Sequence, residues 1–413
     1  MSGTVTVPAP VSASSAPSGY PGSTDPAAPL AWEVRERADR LPDAERRAVL
    51  ADPGFGRHFS DHMATASWSA DRGWHAGVLG VFGPLSLSPA TAVLHYSQSI
   101  FEGLKAYRHE DGSVWLFRPE ANAARFAASA RRLALPPLPE QDFLSSLAEL
   151  ITLDEVWVPS GGASSLYLRP LMFGSEAFLG VRPSAHVTYC VLASPAGSYF
   201  ASGPAPVRIW VSRDFTRAAP GGTGAAKCGG NYAASLLPQQ EAYAHGCDQV
   251  LFLDATRRQD IEELGGMNLW FVFADGTVRT PPIGGTILAG VTRDAIVTLL
   301  TEAGHSVQEE PYSLDEWRAD AASGRLVEVF ACGTAAVVTG VATLVDQLPD
   351  GSTEEITTGP AATGPAVTGQ AVTGPAVTGP AVDGELTAWL RGQLLDLQFG
   401  RRPDTHGWLR RVV

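Results

Sequence analysis

The sequence predicts a mixed α/β fold, α+β in its arrangement, divided into two domains. Three observations predict it. The chain has 413 residues, more than the roughly 100–200 that one domain usually holds. Short apolar runs bounded by Gly and Pro, as strands are, occur in both halves beside stretches with helical spacing. Hydrophobic residues make up 45% of the chain and charged residues 18%, an ordinary globular balance. The expected division is a disordered Pro/Ser/Ala-rich tail at 1–30, a smaller domain at 31–193, a linker at 194–200 and a larger domain at 201–413.

Taken in order, Ala31 to Val49 reads as a short helical or irregular lead-in, and Asp52 to His75 shows no clear periodicity. Gly77 to Leu94 alternates apolar runs with Gly and Pro, as strands and turns do. Lys105–Tyr107 and Val114–Phe117 flank Asp111-Gly112, the signature of a hairpin. Helices are expected over Ala121–Leu133 and Phe143–Leu153, then strands over Ser165–Phe173 and His186–Ala193. The second half opens with a strand at Val207–Val211. A helix over Ala233–Ala244 should be kinked or shortened by Pro238 and close at Gly246. Strand Gln249–Leu253, a hairpin of Asn268–Phe273 with Val278–Thr280, and helix Thr292–Ala303 follow. A five-residue repeat fills 358–382, with Gly in every unit and Pro in all but one, and reads as a disordered or extended insertion. Glu385 to Gln398 resumes helical spacing.

Composition narrows the function. A net charge of −13 argues against nucleic acid or an anionic membrane as partner. Cys190, Cys228, Cys247 and Cys332 form no C-x-x-C pair, so reduced, cytoplasmic thiols are expected and no metal site. No apolar run reaches the ~18 residues of a membrane helix, and residues 1–29 carry neither a basic n-region nor an apolar h-region.

The chain has only two lysines, Lys105 and Lys227. Lys227 sits in Gly221-Gly222-Thr223-Gly224-Ala225-Ala226-Lys227-Cys228-Gly229-Gly230-Asn231-Tyr232. An amine beside bare backbone suits a carbonyl cofactor with a flat ring, because lysine forms imines and glycine allows close approach. A solvated loop lysine gives the same local pattern. Tyr232 offers a phenol to the oxygen of such a ring, and Glu263, in Ile261-Glu262-Glu263-Leu264-Gly265-Gly266, a carboxylate to a pyridine nitrogen. Arg125 offers a bidentate fork to a phosphate, and Gly290-Val291-Thr292 opens a helix whose free amides suit an anion. A structural tyrosine, a solvated Glu pair, a surface arginine and a plain N-cap are the alternative readings of each alone.

Together with His95-Tyr96-Ser97-Gln98-Ser99-Ile100-Phe101-Glu102-Gly103-Leu104-Lys105-Ala106-Tyr107, Leu166-Tyr167-Leu168-Arg169-Pro170, Leu288-Ala289-Gly290-Val291-Thr292-Arg293 and Phe330-Ala331-Cys332-Gly333-Thr334-Ala335-Ala336, these segments resemble a branched-chain amino-acid aminotransferase. That family consists of pyridoxal-phosphate enzymes of fold type IV. The match runs from about Phe55 to the C-terminus, broken by the repeat. The resemblance implies a smaller N-terminal α/β domain and a larger C-terminal pseudo-barrel domain, with pyridoxal 5'-phosphate between them. Lys227 would be the Schiff-base lysine and proton shuttle, Glu263 the partner of the pyridine nitrogen and Tyr232 that of the 3-oxygen. Arg125, Leu288, Val291, Thr292 and Thr334 would hold the cofactor. Tyr96, Phe101, Tyr167, Arg169, Tyr199 and Gly266 would line the substrate pocket, with the Thr334-Ala335 amides near the α-carboxylate. Leu179 and Val181 would reach the site from the partner subunit of a homodimer.

The implied reaction is a reversible ping-pong transfer between L-leucine, L-isoleucine or L-valine and 2-oxoglutarate. Arg169 or a tyrosine hydroxyl is expected to meet the γ-carboxylate. Ala336-Val337-Val338-Thr339 replaces the redox C-x-x-C of some relatives, so no such switch is expected. Gly266 stands where some relatives have Thr, which leaves extra room. The rival readings are a specialised aminotransferase for an unusual aliphatic or aromatic 2-oxo acid, a D-amino-acid aminotransferase or aminodeoxychorismate lyase, and a catalytically idle scaffold.

Overall fold

Two nine-stranded sheets organise the described residues. The computed structural model describes residues 29–161, 164–197, 205–358 and 383–413. The expected tail up to residue 28, Tyr199, residues 198–200 of the linker, and the repeat from 359 to 382 lie outside the described residues.

The first sheet is built from β1 (Trp32–Val34), β2 (His62–Ser69), β3 (Gly73–Val81), β4 (Ser99–Phe101), β5 (Leu104–Arg108), β6 (Val114–Phe117), β7 (Ser165–Gly174) and β8 (His186–Ala196). Its helices are α1 (Asp43–Ala51), α2 (Ala92–Tyr96), α3 (Pro119–Arg132) and α4 (Glu140–Leu153). The second sheet holds β9 (Val207–Ser212), β10 (Gln249–Leu253), β11 (Ile261–Leu264), β12 (Met267–Phe273), β13 (Thr277–Thr280), β14 (Ser306–Glu309), β15 (Leu326–Gly333), β16 (Val337–Gln347) and β17 (Thr353–Thr357). With it go α5 (Gly229–Ala233), α6 (Leu236–Ala244), α7 (Val291–Glu302), α8 (Leu314–Ser323) and α9 (Glu385–Gln398). The last strand, β18 (Leu409–Arg411), pairs with β6 and returns the chain to the first sheet.

The first sheet runs β1-β3-β2-β8-β7-β5-β6-β18, with β4 also on β7. Its core joins Leu104, Ala106, Leu166 and Leu168 to Phe126 of α3 and Phe143, Leu147 and Ile151 of α4. In the second sheet the order β11-β10-β9-β16-β15-β12 closes on itself through β11–β12, which makes the pseudo-barrel. Strand β12 explains the closure. It is buried on both faces, and successive side chains point opposite ways. Leu269, Phe271 and Phe273 pack with Ile209 and Leu251 in one cluster. Trp270 and Val272 pack under α7 and α9, against Ile296, Leu299, Leu390 and Leu394. A strand covered on both sides needs a continuous apolar run, and Leu269–Phe273 supplies one.

Several sequence expectations are corrected here. Ser194–Ala196, assigned to a linker, are the end of β8 and pair with Ser165–Tyr167. The helix expected over Ala233–Ala244 starts later, as α6 at Leu236, and Ala233 ends the separate α5. Pro238 is the third residue of α6, in the first turn, where its missing N–H has no intrahelical partner to lose. The irregular lead-in contains β1, which pairs in parallel with β3. The unpatterned stretch after it contains β2, whose core positions Ala64 and Ala66 are too small to mark a periodicity. The larger unit does not keep the whole C-terminus, because β18 belongs to the first sheet.

A buried polar pair anchors the lead-in. Asp154 accepts from the His62 Nδ1–H at 2.7 Å and from the His62 amide at 2.8 Å. His62 Nε2 accepts the Arg37 amide at 2.8 Å, which fixes the proton on Nδ1. Both side chains are fully buried. Replacing Asp154 by Ala leaves two buried donors unmet and costs on the order of 3 kcal/mol, measured as a lower midpoint of chemical denaturation. An unchanged midpoint would remove this pair from the anchor.

Candidate active site

The Lys227 segment is held by its backbone before its side chain does anything. Its amide donates to Ser129 Oγ of α3 at 2.9 Å, and its carbonyl accepts the Phe101 amide of β4 at 3.0 Å. Asn231 braces the loop from inside, donating to the carbonyls of Thr223 (2.8 Å) and Ala226 (2.9 Å). The first sheet thus fixes where Lys227 starts, and the second provides most of what its amine faces.

Lys227 Nζ donates to the Tyr232 hydroxyl at 2.7 Å. It lies 4.8 Å from the centre of the Phe101 ring, which meets the Tyr232 ring edge-on at 4.7 Å. Across the cleft, Glu263 on β11 is buried. Its Oε1 accepts the Leu288 amide at 2.6 Å and its Oε2 lies 3.1 Å from Arg217 Nε. Burial pushes the Glu263 carboxyl up, and the Arg217 charge and the Leu288 amide offset only part of that. A carboxylate in this position gains most by meeting a further positive group, such as a protonated ring nitrogen.

Arg125 has a protein partner that the sequence reading did not name. Its fork holds Glu102, at 2.7 Å through Nε and 2.8 Å through Nη2. Its Nη1 donates to the Ala289 carbonyl at 3.0 Å. The remaining N–H bonds of Nη1 and Nη2 are what an anion would receive. Burial opposes ionisation of Glu102, but the Arg125 charge and fork, with Lys227 and Asn122, hold its carboxyl below the usual range. Gly290 caps α7, so the first-turn amides at Val291 and Thr292 open toward the same end.

These groups surround a cleft of about 500 Å³. Of the residues singled out in the sequence, Phe101, Arg125, Tyr167, Arg169, Lys227, Tyr232, Glu263, Gly266, Leu288, Val291, Thr292, Thr334 and Ala335 all line it. Arg169 Nη2 donates to the Tyr167 hydroxyl at 3.1 Å, and its guanidinium stands 4.9 Å from the Phe101 ring centre. Arg169 Nε is buried without a partner. At Gly103 a Cβ would fall 1.9 Å from the Tyr167 hydroxyl, so only glycine leaves that ring in place.

Three expected pocket residues are not in the cleft of this chain. Tyr96 is 40% exposed, Leu179 71% and Val181 88%, and the Tyr96 hydroxyl donates to the Leu179 carbonyl at 2.5 Å. Tyr96 therefore sits with the pair expected to serve a partner subunit, and not with Lys227. Sequence reasoning also missed four contributors. Glu102, Arg217 and Asn268 support the site, and Phe55 lines the cleft, its ring edge-on to Tyr167 at 5.1 Å. Glu102 alone had a local signal, inside the Phe101-Glu102-Gly103 run.

The set fits pyridoxal phosphate on its own chemistry. A lysine amine stands against a phenol, a buried carboxylate lies opposite, and a helix N-terminus with Arg125 and Thr334 lies at one end. Cys332 also touches the cleft. It accepts from Trp270 Nε1 at 3.2 Å, and burial pushes its thiol up to about 12, which leaves it a poor nucleophile. Among the described residues no helix is long and apolar enough to cross a membrane.

The comparisons agree with this geometry. Residues 99–344 match the family model described as amino-transferase class IV. A Streptomyces coelicolor protein named probable branched-chain-amino-acid aminotransferase is 52% identical over 378 residues, 91% of this chain and 97% of that protein. The crystal structure of the Escherichia coli branched-chain amino acid aminotransferase superposes with a TM-score of 0.66 at 26% identity, over 86% of this chain and 100% of that one. The T.th. branched-chain amino acid aminotransferase, solved with pyridoxamine 5'-phosphate, gives a TM-score of 0.65 at 27% identity over 85% of this chain and 99% of that one. The same enzyme has been solved with N-(5'-phosphopyridoxyl)-L-glutamate and with 4-methylvaleric acid. A sequence match of this extent, on a fold type IV scaffold, establishes that the chain belongs to the branched-chain-amino-acid aminotransferases of class IV.

Proposed function

We propose that this chain transfers amino groups between L-leucine, L-isoleucine or L-valine and 2-oxoglutarate, with pyridoxal 5'-phosphate held in the cleft. The observation that carries the reading is Lys227 Nζ on the Tyr232 hydroxyl at 2.7 Å, facing buried Glu263 across the cleft. Pyridoxal phosphate supplies a carbonyl for amines and a ring that accepts the electrons of the broken Cα–H bond. Glu263 would hold a proton on the ring nitrogen, and Tyr232 would hold the ring oxygen. The Lys227 amine would take the α-proton and return it to the cofactor's C4′ carbon, a short path because its backbone is pinned by Ser129 and Phe101. Free N–H bonds of Arg125, the α7 amides and Thr334 would hold the phosphate.

The pocket must take an aliphatic chain and a γ-carboxylate in turn. Phe101, Tyr167 and Phe55 form its apolar walls, while Arg169, with an unpartnered Nε, is suited to the carboxylate. The T.th. structures with a leucine-like acid and a glutamate adduct support the same pair of side chains. The protein works as a homodimer in which Tyr96, Leu179 and Val181 complete the partner's cleft. The exposure of all three in one chain supports this. The two sheets correspond to the smaller and larger domains, meeting at the cleft. The chain acts in the cytoplasm.

The holoenzyme should show a visible band that decays with L-leucine and recovers with 2-oxoglutarate. A band that ignores L-leucine and answers another amine would move the substrate to a specialised relative. Glu263→Gln should keep the cofactor but lower kcat/KM by about 100-fold or more; equal activity would release Glu263 from its role. Arg169→Ala should raise the KM for 2-oxoglutarate about tenfold, and an unchanged KM would remove Arg169 from the γ-carboxylate. Co-expressed Lys227→Ala and Val181→Asp protomers should regain activity that neither has alone if Val181 serves the partner's cleft; no recovery would refute that sharing.

A further inference from the structure

The second of the two lysines, Lys105, has no part in the reaction above. It lies on β5 and is buried at 6% exposure. Its Nζ leaves the first sheet and donates to the Ala335 carbonyl of the second at 2.9 Å. No acidic side chain contributes to its titration, and burial alone pushes its ammonium down to about 8. Burying a cation without an anion is costly, so the position calls for a reason.

The surroundings supply one. Lys105 stands in a small chamber with Asn122, Thr292, Thr334 and Gln398, behind the turn from β15 to β16. In the same chamber Gln398 Oε1 is buried without a partner. The front of the turn, Thr334, Ala335 and Ala336, lines the cleft. There are no cis peptides among the described residues, and in a trans unit the N–H and C=O point opposite ways. Holding the Ala335 carbonyl on Lys105 therefore aims the Ala336 N–H away from Lys105. Among the described residues no backbone carbonyl receives the Thr334, Ala335 or Ala336 amides. Val337 leaves the turn at φ 61°, a left-handed conformation that a β-branched residue adopts only under constraint.

We propose that Lys105 is a positioning residue for the substrate's α-carboxylate: it draws back the Ala335 carbonyl, so that the turn presents amide donors to the cleft, and places a positive charge behind them. The inference rests on the transaminase reading above. It does not place Lys105 against the substrate itself.

The charge makes the role pH-dependent. Tyr107 is the other titratable group of the chamber, and burial holds its phenol far above its ordinary value. Glu102 and Arg125, behind Asn122, neutralise one another, and Thr292, Thr334 and Gln398 do not titrate. Lys227 lies on the cleft side and is common to every variant below. As pH rises through about 8 the Lys105 ammonium is lost, and anion binding at the turn weakens. Arginine stays charged across this range.

The test uses the holoenzyme at saturating pyridoxal phosphate, with 4-methylvalerate as a carboxylate probe that lacks an amine. Wild type, Lys105→Met and Lys105→Arg are compared for probe dissociation constant from pH 7 to 9, for leucine kinetics, and for cofactor dissociation by equilibrium dialysis. The affinity of wild type relative to Lys105→Arg should fall about fivefold between pH 7 and 9. Lys105→Met should bind the probe about tenfold more weakly at pH 7 and raise the KM for L-leucine, with kcat within about threefold. Probe affinity unchanged in Lys105→Met, or a wild-type pH profile parallel to that of Lys105→Arg, overturns the proposal. So does a Lys105→Met protein that loses only cofactor affinity, which would assign Lys105 to the phosphate. If Lys105→Met does not fold, the comparison of wild type with Lys105→Arg decides alone. A wild-type protein that holds the cofactor but ignores both L-leucine and the probe overturns the transaminase reading, and this inference with it.

Discussion

The cleft depends on two buried ion pairs, Arg125 with Glu102 and Arg217 with Glu263. Their worth is not chiefly stability. Desolvating two charges costs about what their attraction returns, and well-packed apolar replacements often do as well. What a fork on a carboxylate does is fix position. Arg125 ties α3 to the strand end at Glu102 and, through Ala289, to the loop that opens α7. Arg217 reaches the carbonyl of Thr286 while it faces Glu263. Each pair thereby sets both a charged group and the loop it must work with. Removing either arginine would leave a buried carboxylate uncompensated, and that carboxylate would take up a proton.

The two sheets divide the task. Strands β4, β5 and β7 bring Phe101, Lys105, Tyr167 and Arg169, residues that shape a pocket or hold a turn. The second unit brings Lys227 on the loop before α5, Tyr232 on α5 and Glu263 on β11, the groups that would move or hold protons. The join between sheets is therefore part of the chemistry. It is made by backbone bonds at Lys227, by Lys105 on Ala335, and by the return of β18 to β6. That return closes the chain over both units and pins Arg118, whose amide donates to the Trp408 carbonyl at 2.6 Å.

Legibility followed side-chain size and chemical rarity. The helices at α4, α7 and α9 were readable because large apolar residues recur at helical spacing, as with Leu390, Leu394 and Leu397. Strand β2 was not, because its core contacts are alanines. Lys227 stood out as one of two lysines, and Glu263 and Thr292 followed from the chemistry that a lysine site needs. Arg217 and Phe55 could not be found this way. Each acts through a partner distant in sequence, Glu263 and Tyr167, and nothing local marks such a pairing. Glu102 as the partner of Arg125 was not legible, since a fork reads the same whether it holds a phosphate or a carboxylate.

The exposed group Tyr96, Leu179 and Val181 follows the same physical logic from outside. Leaving Leu179 and Val181 in water forgoes roughly 25 cal/mol for each Å² of apolar surface, yet the segment is not left loose. The Tyr96 hydroxyl holds the Leu179 carbonyl, and Ala92 and Phe178 tie the two stretches through backbone bonds to Glu176 and Ala90. A hydrophobic loop fixed in this way has already lost part of its conformational freedom, so docking it costs less entropy than folding a free segment would. An opening walled by Phe101 and Tyr167 needs an apolar cover to exclude water from the reacting bond. In the homodimer proposed above, a second copy of this chain would carry that cover in a fixed shape, and two-fold symmetry would let each protomer give and receive it.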